Sequence, residues 1–312
     1  MTEILIERAS MPENFQTLSR FFGPMPPTEP VSLAPVHEGW RPEGRMQIWQ
    51  VRIGQPAWLS WNLTLAWPPG ECLGLFLSGD GCWPHVIDAP ARAAVLGERR
   101  ALAWFDRLQL SHDRSDAVRS GPVHEHWPHT PWGALAVWAW GLAHAARALR
   151  ALEPALPLTV VGHSRGGKAA LLAALGEPCI DAVVSHNSGC GGAASLQILG
   201  EGSESLAGMV QQFPHWFGPE APKPEVQAAL RACDAASVLR TLAPRGLCLL
   251  QASDDLWANP LGTRATFEAL VPAWAMAPAA LRWHERLGGH AMTALDWQRA
   301  ARAAGPGTPD GD

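Results

Sequence analysis

The sequence predicts an α/β fold with a mostly parallel central sheet covered by helices on both faces. Three observations carry this. Short apolar runs alternate with helical stretches along most of the 312 residues. Nearly every run ends in a loop rich in Gly, Asp or His. Apolar residues make up 47% of the chain and charged residues 17%, enough for a sizeable core. Strands buried on both faces read as continuous apolar runs, and their ligands bind beyond the carboxyl ends of the strands.

In order, residues 1–45 are Pro-rich and weakly periodic and are expected to wrap the surface. Two alternating runs between Met46 and Ala66, turned at Gln55-Pro56, read as paired strands. Strand-like runs follow at Leu73–Ser78, Ala101–Phe105, Leu158–Val161, Ala182–Ser185, Leu247–Ala252 and Leu281–Glu285. Helical patterns occupy Trp132–Leu149, Gly167–Leu175, Pro260–Leu270 and Met292–Ala303. The tail from Gly305 is rich in Gly, Pro and Asp and reads as frayed. With no internal repeat, residues 1–312 read as a single domain.

Composition removes several classes of function. The net charge of −5 and the scattered 24 Lys and Arg give no footprint for nucleic acid or an anionic membrane. The uncharged, mostly apolar stretch Thr130 to Ala146 is too short to span a bilayer. The six cysteines form no C-x-x-C pair, and Cys179 and Cys248 lie in or beside apolar runs as small hydrophobes. The first residues hold Glu3 and Glu7 without an apolar stretch, so the expected location is the cytoplasm. Of the 16 Trp, most are expected to pack in the core or near the surface.

The strongest chemical signal is Gly162-His163-Ser164-Arg165-Gly166, a G-x-S-x-G between a strand and a helix. This context makes a nucleophile elbow: a tight turn pushes the serine hydroxyl out of the sheet edge, and the following amide points at a developing oxyanion. The same residues fall one short of a phosphate-binding P-loop, because Ala169 stands where the magnesium-holding hydroxyl belongs.

In α/β-hydrolases the acid and then the histidine follow the serine. His290, in Leu287-Gly288-Gly289-His290, is the expected base, whereas His284 lies within a strand. The acid is expected in Ser253-Asp254-Asp255-Leu256-Trp257, with one carboxylate facing the histidine and the other capping the next turn. Spacing alone leaves Asp254 and Asp255 both open. Arg165 is placed to add a second oxyanion donor, and the Leu77–His85 loop offers an amide. His85, His124, His126 and His129 lack metal-ligand spacing and read as loop residues.

These residues resemble the glucuronoyl esterases and related acetylxylan-esterase-like α/β-hydrolases. The resemblance spans much of residues 70–300. It rests on VVGHSRGGKAAL, SHNSGCGGAA, FPHWF, LAPRGLCLLQASDDLWANP and LGGHAMTALDW in that order. It implies a serine esterase that cleaves a glucuronic acid ester, acts on a small-molecule or oligosaccharide substrate and needs no cofactor. It further implies Ser164 as nucleophile, His290 as base, Arg165 at the oxyanion, and Lys168, Trp257 and Glu201 on the sugar. An Asp-x-Trp match favours Asp255 over Asp254 as the acid. Many relatives carry a catalytic glutamate where this chain has Asn187. An esterase of short acyl groups and a non-catalytic binding protein are the competing functions.

Overall fold

The computed structural model describes residues 13–303 except 84, 115 and 117. The far N-terminal segment and the tail therefore lie outside the described residues. Nine strands form one sheet in the order β1-β2-β3-β5-β4-β6-β7-β8-β9. The chain begins with helix α1 (Glu13–Phe22), then runs through β1 (Val31–Arg41), β2 (Gly44–Ile53), β3 (Leu59–Trp67) and β4 (Leu75–Ser78). Next come α2 (Ala89–Gly97), β5 (Ala101–Trp104), the short α3 (Pro122–His126) and α4 (Ala134–Leu152). The central segment is β6 (Leu158–His163), α5 (Arg165–Gly176) and β7 (Ala182–His186). It is followed by α6 (Leu206–Gln212), α7 (Pro224–Leu239), β8 (Gly246–Ala252), α8 (Pro260–Leu270), β9 (Leu281–Arg286) and α9 (Ala294–Ala303).

Strands β4 to β9 are mutually parallel, and β1, β2, β3 and β5 are joined antiparallel. The central sheet flanked by helices is the predicted α/β-hydrolase architecture. Its two faces bury different sets. Val160, Val183, Leu247 and Leu249 join the large core beneath α4, α5 and α7. Their alternates Val161, Val184, Cys248 and Leu250 face α2 and α9, where Trp297 is fully buried. Helix α4 is buried almost all round, as expected of a stretch so rich in Ala, Leu and Trp. Among the described residues no helix is long and apolar enough to cross a membrane.

The N-terminal segment differs from the expected surface wrap. It forms α1 and the edge strand β1, which pairs along its whole length with β2. The prolines hid this strand: Pro30 precedes it, and Pro35 sits at its register shift, positions where an edge strand tolerates a missing N–H. Also unforeseen are α2, capped by Asp88, and α7, with Pro224 in its first turn. His124 and His126 lie on α3 rather than in a loop. Cys248 is buried as expected, whereas Cys179 is only partly so. Of the Trp, Trp61, Trp138, Trp140, Trp274 and Trp297 are fully buried, and Trp40 and Trp257 are exposed.

Candidate active site

Strand β6 ends at His163 and α5 begins at Arg165, so Ser164 alone makes the turn. Its backbone is left-handed, at φ 55° and ψ −122°. A non-glycine residue held there costs about 1–3 kcal/mol, which the packing must supply. Two glycines make the packing possible. A Cβ on Gly162 would lie 2.1 Å from the Gly166 carbonyl, and one on Gly166 would lie 2.1 Å from the Asp80 carboxylate. Asp80, in the loop after β4, is fully buried; it pairs with Arg107 and accepts the His163 N–H at 2.8 Å. One residue between strand and helix leaves no loop to wrap a phosphate, and Lys168 is engaged elsewhere, so the P-loop reading falls away.

The two adjacent aspartates divide as the chemistry requires. Asp255 is buried and its Oδ2 accepts from His290 Nδ1 at 2.6 Å. Asp254 accepts the Gly288 N–H at 2.9 Å and donates its own N–H to the Gly288 carbonyl. It therefore pins the glycine loop that presents His290, rather than capping the next turn. His284 stays within β9, opposite Leu250. Asn187 is a brace. Its Oδ1 accepts the Ala252 N–H at 2.8 Å and its Nδ2 donates to the His290 carbonyl at 3.3 Å.

Beneath His290 lies a buried imidazole pair. The His163 ring centroid is 4.6 Å from that of His290, and His163 Nδ1 meets His186 Nδ1 at 2.9 Å. Burial holds both well below the usual histidine range, so they stay neutral and share one proton between the two nitrogens. Burial also pushes the nearby Cys82 thiol up to about 12, which removes it as a rival nucleophile.

On the other side of Ser164, Arg165 pairs with Asp113. Its guanidinium lies over the rings of Trp83 at 4.7 Å, Trp216 at 4.8 Å and Phe213 at 5.7 Å. Asp113 also accepts from His215 Nε2 at 2.9 Å and Trp216 Nε1 at 2.8 Å. Burial alone would raise its carboxyl, but these hydrogen bonds and the Arg165 charge outweigh that and hold it well below the usual range.

Lys168, one turn into α5, is 5% exposed and donates to the Ser188 carbonyl at 2.7 Å. The carboxylate beside it, at 3.5 Å, belongs to Glu204. Glu201, which the resemblance assigns to the sugar, stands exposed in the preceding turn. The Glu204 N–H donates to the Trp257 carbonyl at 3.0 Å, and the Trp257 side chain is half-exposed. Reasoning from sequence missed Glu204 and Asp113. Both are single acids in loops, and no spacing marks them. Among the described residues no cluster of His, Cys, Asp and Glu could hold a metal ion.

Comparison with known proteins gives the family and the fold. The family described as "Glucuronyl esterase, fungi" matches residues 58–277. A carbohydrate esterase from an unknown prokaryotic organism is 29% identical over 186 residues, 53% of this chain and 42% of that one. The 4-O-methyl-glucuronoyl methylesterase of Hypocrea jecorina is 28% identical over 174 residues, 52% of this chain and 37% of that one. The matches thus span less than half the length of these curated relatives. Among solved structures, a glucuronoyl esterase from Solibacter usitatus superposes with a TM-score of 0.76 at 21% identity, covering 93% of this chain and 91% of its own. One from Caldicellulosiruptor kristjansonii gives 0.77 at 21%, covering 97% and 85%. The strained serine turn, the buried aspartate on a loop histidine and the match over most of the chain converge: this chain belongs to the glucuronyl esterase family.

Proposed function

We infer that this chain is a serine esterase that hydrolyses esters of a glucuronic acid. The observation that carries the reading is the His290–Asp255 contact at 2.6 Å together with a serine held in a strained elbow, with the buried Lys168–Glu204 pair one turn after it. Ser164 Oγ attacks the ester carbonyl while His290 takes its proton. Asp255, bonded to Nδ1, fixes the tautomer and stabilises the imidazolium. The amide after Ser164 and the Arg165 guanidinium receive the oxyanion, aided by the amino end of α5. His290 then protonates the leaving alcohol, and a water deprotonated by His290 releases the acid from Ser164.

Lys168 and Glu204 supply a cation and an acceptor to a hydroxyl-rich acyl group, and the Trp257 indole offers a face to a sugar ring. The reading also draws on the relatives: the curated one from Hypocrea jecorina is called a 4-O-methyl-glucuronoyl methylesterase, and one solved structure, from Sporotrichum thermophile, is a complex with methyl 4-O-methyl-β-D-glucopyranuronate.

The test is hydrolysis of benzyl methyl-glucuronate and p-nitrophenyl acetate by the native chain and by Ser164→Ala. The expected result is turnover of the uronate that falls at least about a thousandfold in Ser164→Ala. Turnover of the acetate alone would keep the triad and discard the sugar assignment. No turnover of either, with no labelling of Ser164 by an organophosphonate, would leave a binding protein on a hydrolase scaffold.

A further inference from the structure

The segment Phe213–Phe217 matches the family by sequence, yet none of its residues enters the reaction described above. Its place in the fold shows what it does. Phe217 anchors it in the core against Phe21 and Phe22, with ring centroids 4.9 and 5.9 Å away. Phe213 and Trp216 stack on each other at 3.9 Å, and both rings lie under the Arg165 guanidinium. Trp83, from the loop after β4, lies 4.7 Å from the same guanidinium. His215 and Trp216 each direct an N–H at Asp113, and Asp113 takes the Arg165 Nη1.

Three separate pieces of chain therefore converge on one guanidinium, which fixes its position, its plane and its rotation. A surface arginine needs none of this; a free one carries about 2 kcal/mol of rotamer entropy. The remaining donors of Arg165 include a buried Nε with no partner among the described residues. An unfilled buried N–H is costly unless a ligand fills it during the reaction.

We propose that Asp113, with the Phe213–Phe217 segment and Trp83, is a clamp that holds Arg165 in the oxyanion-binding pose, Asp113 being its positioning residue. The proposal rests on the reading of Arg165 as an oxyanion donor. The clamp sets the pose before substrate arrives, so the donor costs no reorganisation when negative charge develops on the ester oxygen. Its loss is expected in kcat, because the oxyanion exists only in the transition state.

The test uses the whole chain and benzyl methyl-glucuronate. Arg165→Ala is expected to lower kcat about a hundredfold with little change in KM. Asp113→Ala is expected to lower kcat about tenfold, again with KM nearly constant, and to cost nothing further in the Arg165→Ala background, because both act through one group. Guanidinium ion at millimolar concentration is expected to restore part of the Arg165→Ala activity, by binding between Trp83 and Trp216 against Asp113. It should restore none once Asp113 is also removed. Asp113→Asn, which preserves size and an acceptor but not the charge, gives the same readout if the alanine variant does not fold; a smaller loss of kcat with weaker rescue is expected.

Wild-type kcat in the Asp113 variants overturns the clamp. So does an undiminished loss in the Arg165→Ala background, or equal rescue with and without Asp113. An unchanged kcat in Arg165→Ala alone overturns instead the oxyanion reading of Arg165. Full turnover by Ser164→Ala overturns the esterase reading itself.

Discussion

The two sides of Ser164 are built in opposite ways. On one side, Asp255 and His290 stand at the ends of the neighbouring parallel strands β8 and β9, a few residues beyond each strand. Their relation is set by the sheet, because parallel strands in register must end together. On the other side, Arg165 is held by residues from the loop after β4, the loop before α3 and the segment after α6. No strand imposes that convergence; buried charge and stacked rings do. The first side is therefore expected to tolerate change in its surroundings and fail at single atoms, and the second to fail gradually as contacts are removed.

The sharpest way to break this comparison is at the two aspartates. Asp255→Asn removes the charge behind His290 and leaves the wrong tautomer bonded to it, and a loss of about ten-thousandfold in kcat is expected. Asp254→Asn keeps an oxygen for the Gly288 N–H and should cost less than about tenfold. If the two variants are equally impaired in steady-state kinetics, the triad does not run through Asp255.

The same contrast explains what the sequence made legible. Ser164, His290 and the Asp254-Asp255 pair each follow an apolar run, and chain order plus the strand–turn–helix context was enough to find them. The acid itself came from the Asp-x-Trp resemblance, since both carboxylates fit the spacing; the structure then separated them by what each one bonds. Lys168 came from the resemblance, and its place one helical turn after the nucleophile agrees with that assignment. Glu204 and Asp113 could not be found that way. Each is a lone acid in a loop, and what singles it out is burial against a cation from a distant segment, a property of packing alone. The edge strand β1 was missed for another reason: prolines that mark a loop in a central strand are compatible with an edge.

A second, smaller effect sharpens the division between chemistry and binding. Lys168→Met removes the cation but preserves the stem, and leaves Glu204 buried without its partner. We expect KM for the uronate ester to rise about tenfold or more, and turnover of p-nitrophenyl acetate to change by less than about threefold. Parallel kinetics on the two substrates check this. An equal loss on both would mean that Lys168 supports the elbow rather than the acyl group.

The remaining expected effect is on stability rather than rate; it is one of pH, and it separates the two sides by charge. The His290 side rests on the neutral pair His163 and His186, and the same is true of His144 in α4, which donates to the Trp140 carbonyl at 2.9 Å and accepts the Glu29 N–H at 3.1 Å. Burial lowers His144 from 6.5 to about 4. Unfolding therefore takes up a proton below pH 6.5, so the stability that His144 contributes is complete above 6.5 and is lost as the pH falls toward 4. The loss from this residue is about 1.4 kcal/mol per pH unit, about 3 kcal/mol in all. His163 and His186 shift in the same direction and steepen the decline over the same range. Asp113 behaves otherwise. Its carboxyl is held below the ordinary 3.8, so its contribution is complete above that value and is lost only in stronger acid. Denaturant titrations at pH 7, 5.5 and 4.5 should show stability falling stepwise in the native chain, less steeply in His144→Gln, and with unchanged slope in Asp113→Asn. A flat profile across that range would mean that the buried histidines are charged. A slope altered by Asp113→Asn would mean that the Arg165 clamp titrates with them, and the two sides of the site would then share one electrostatic support.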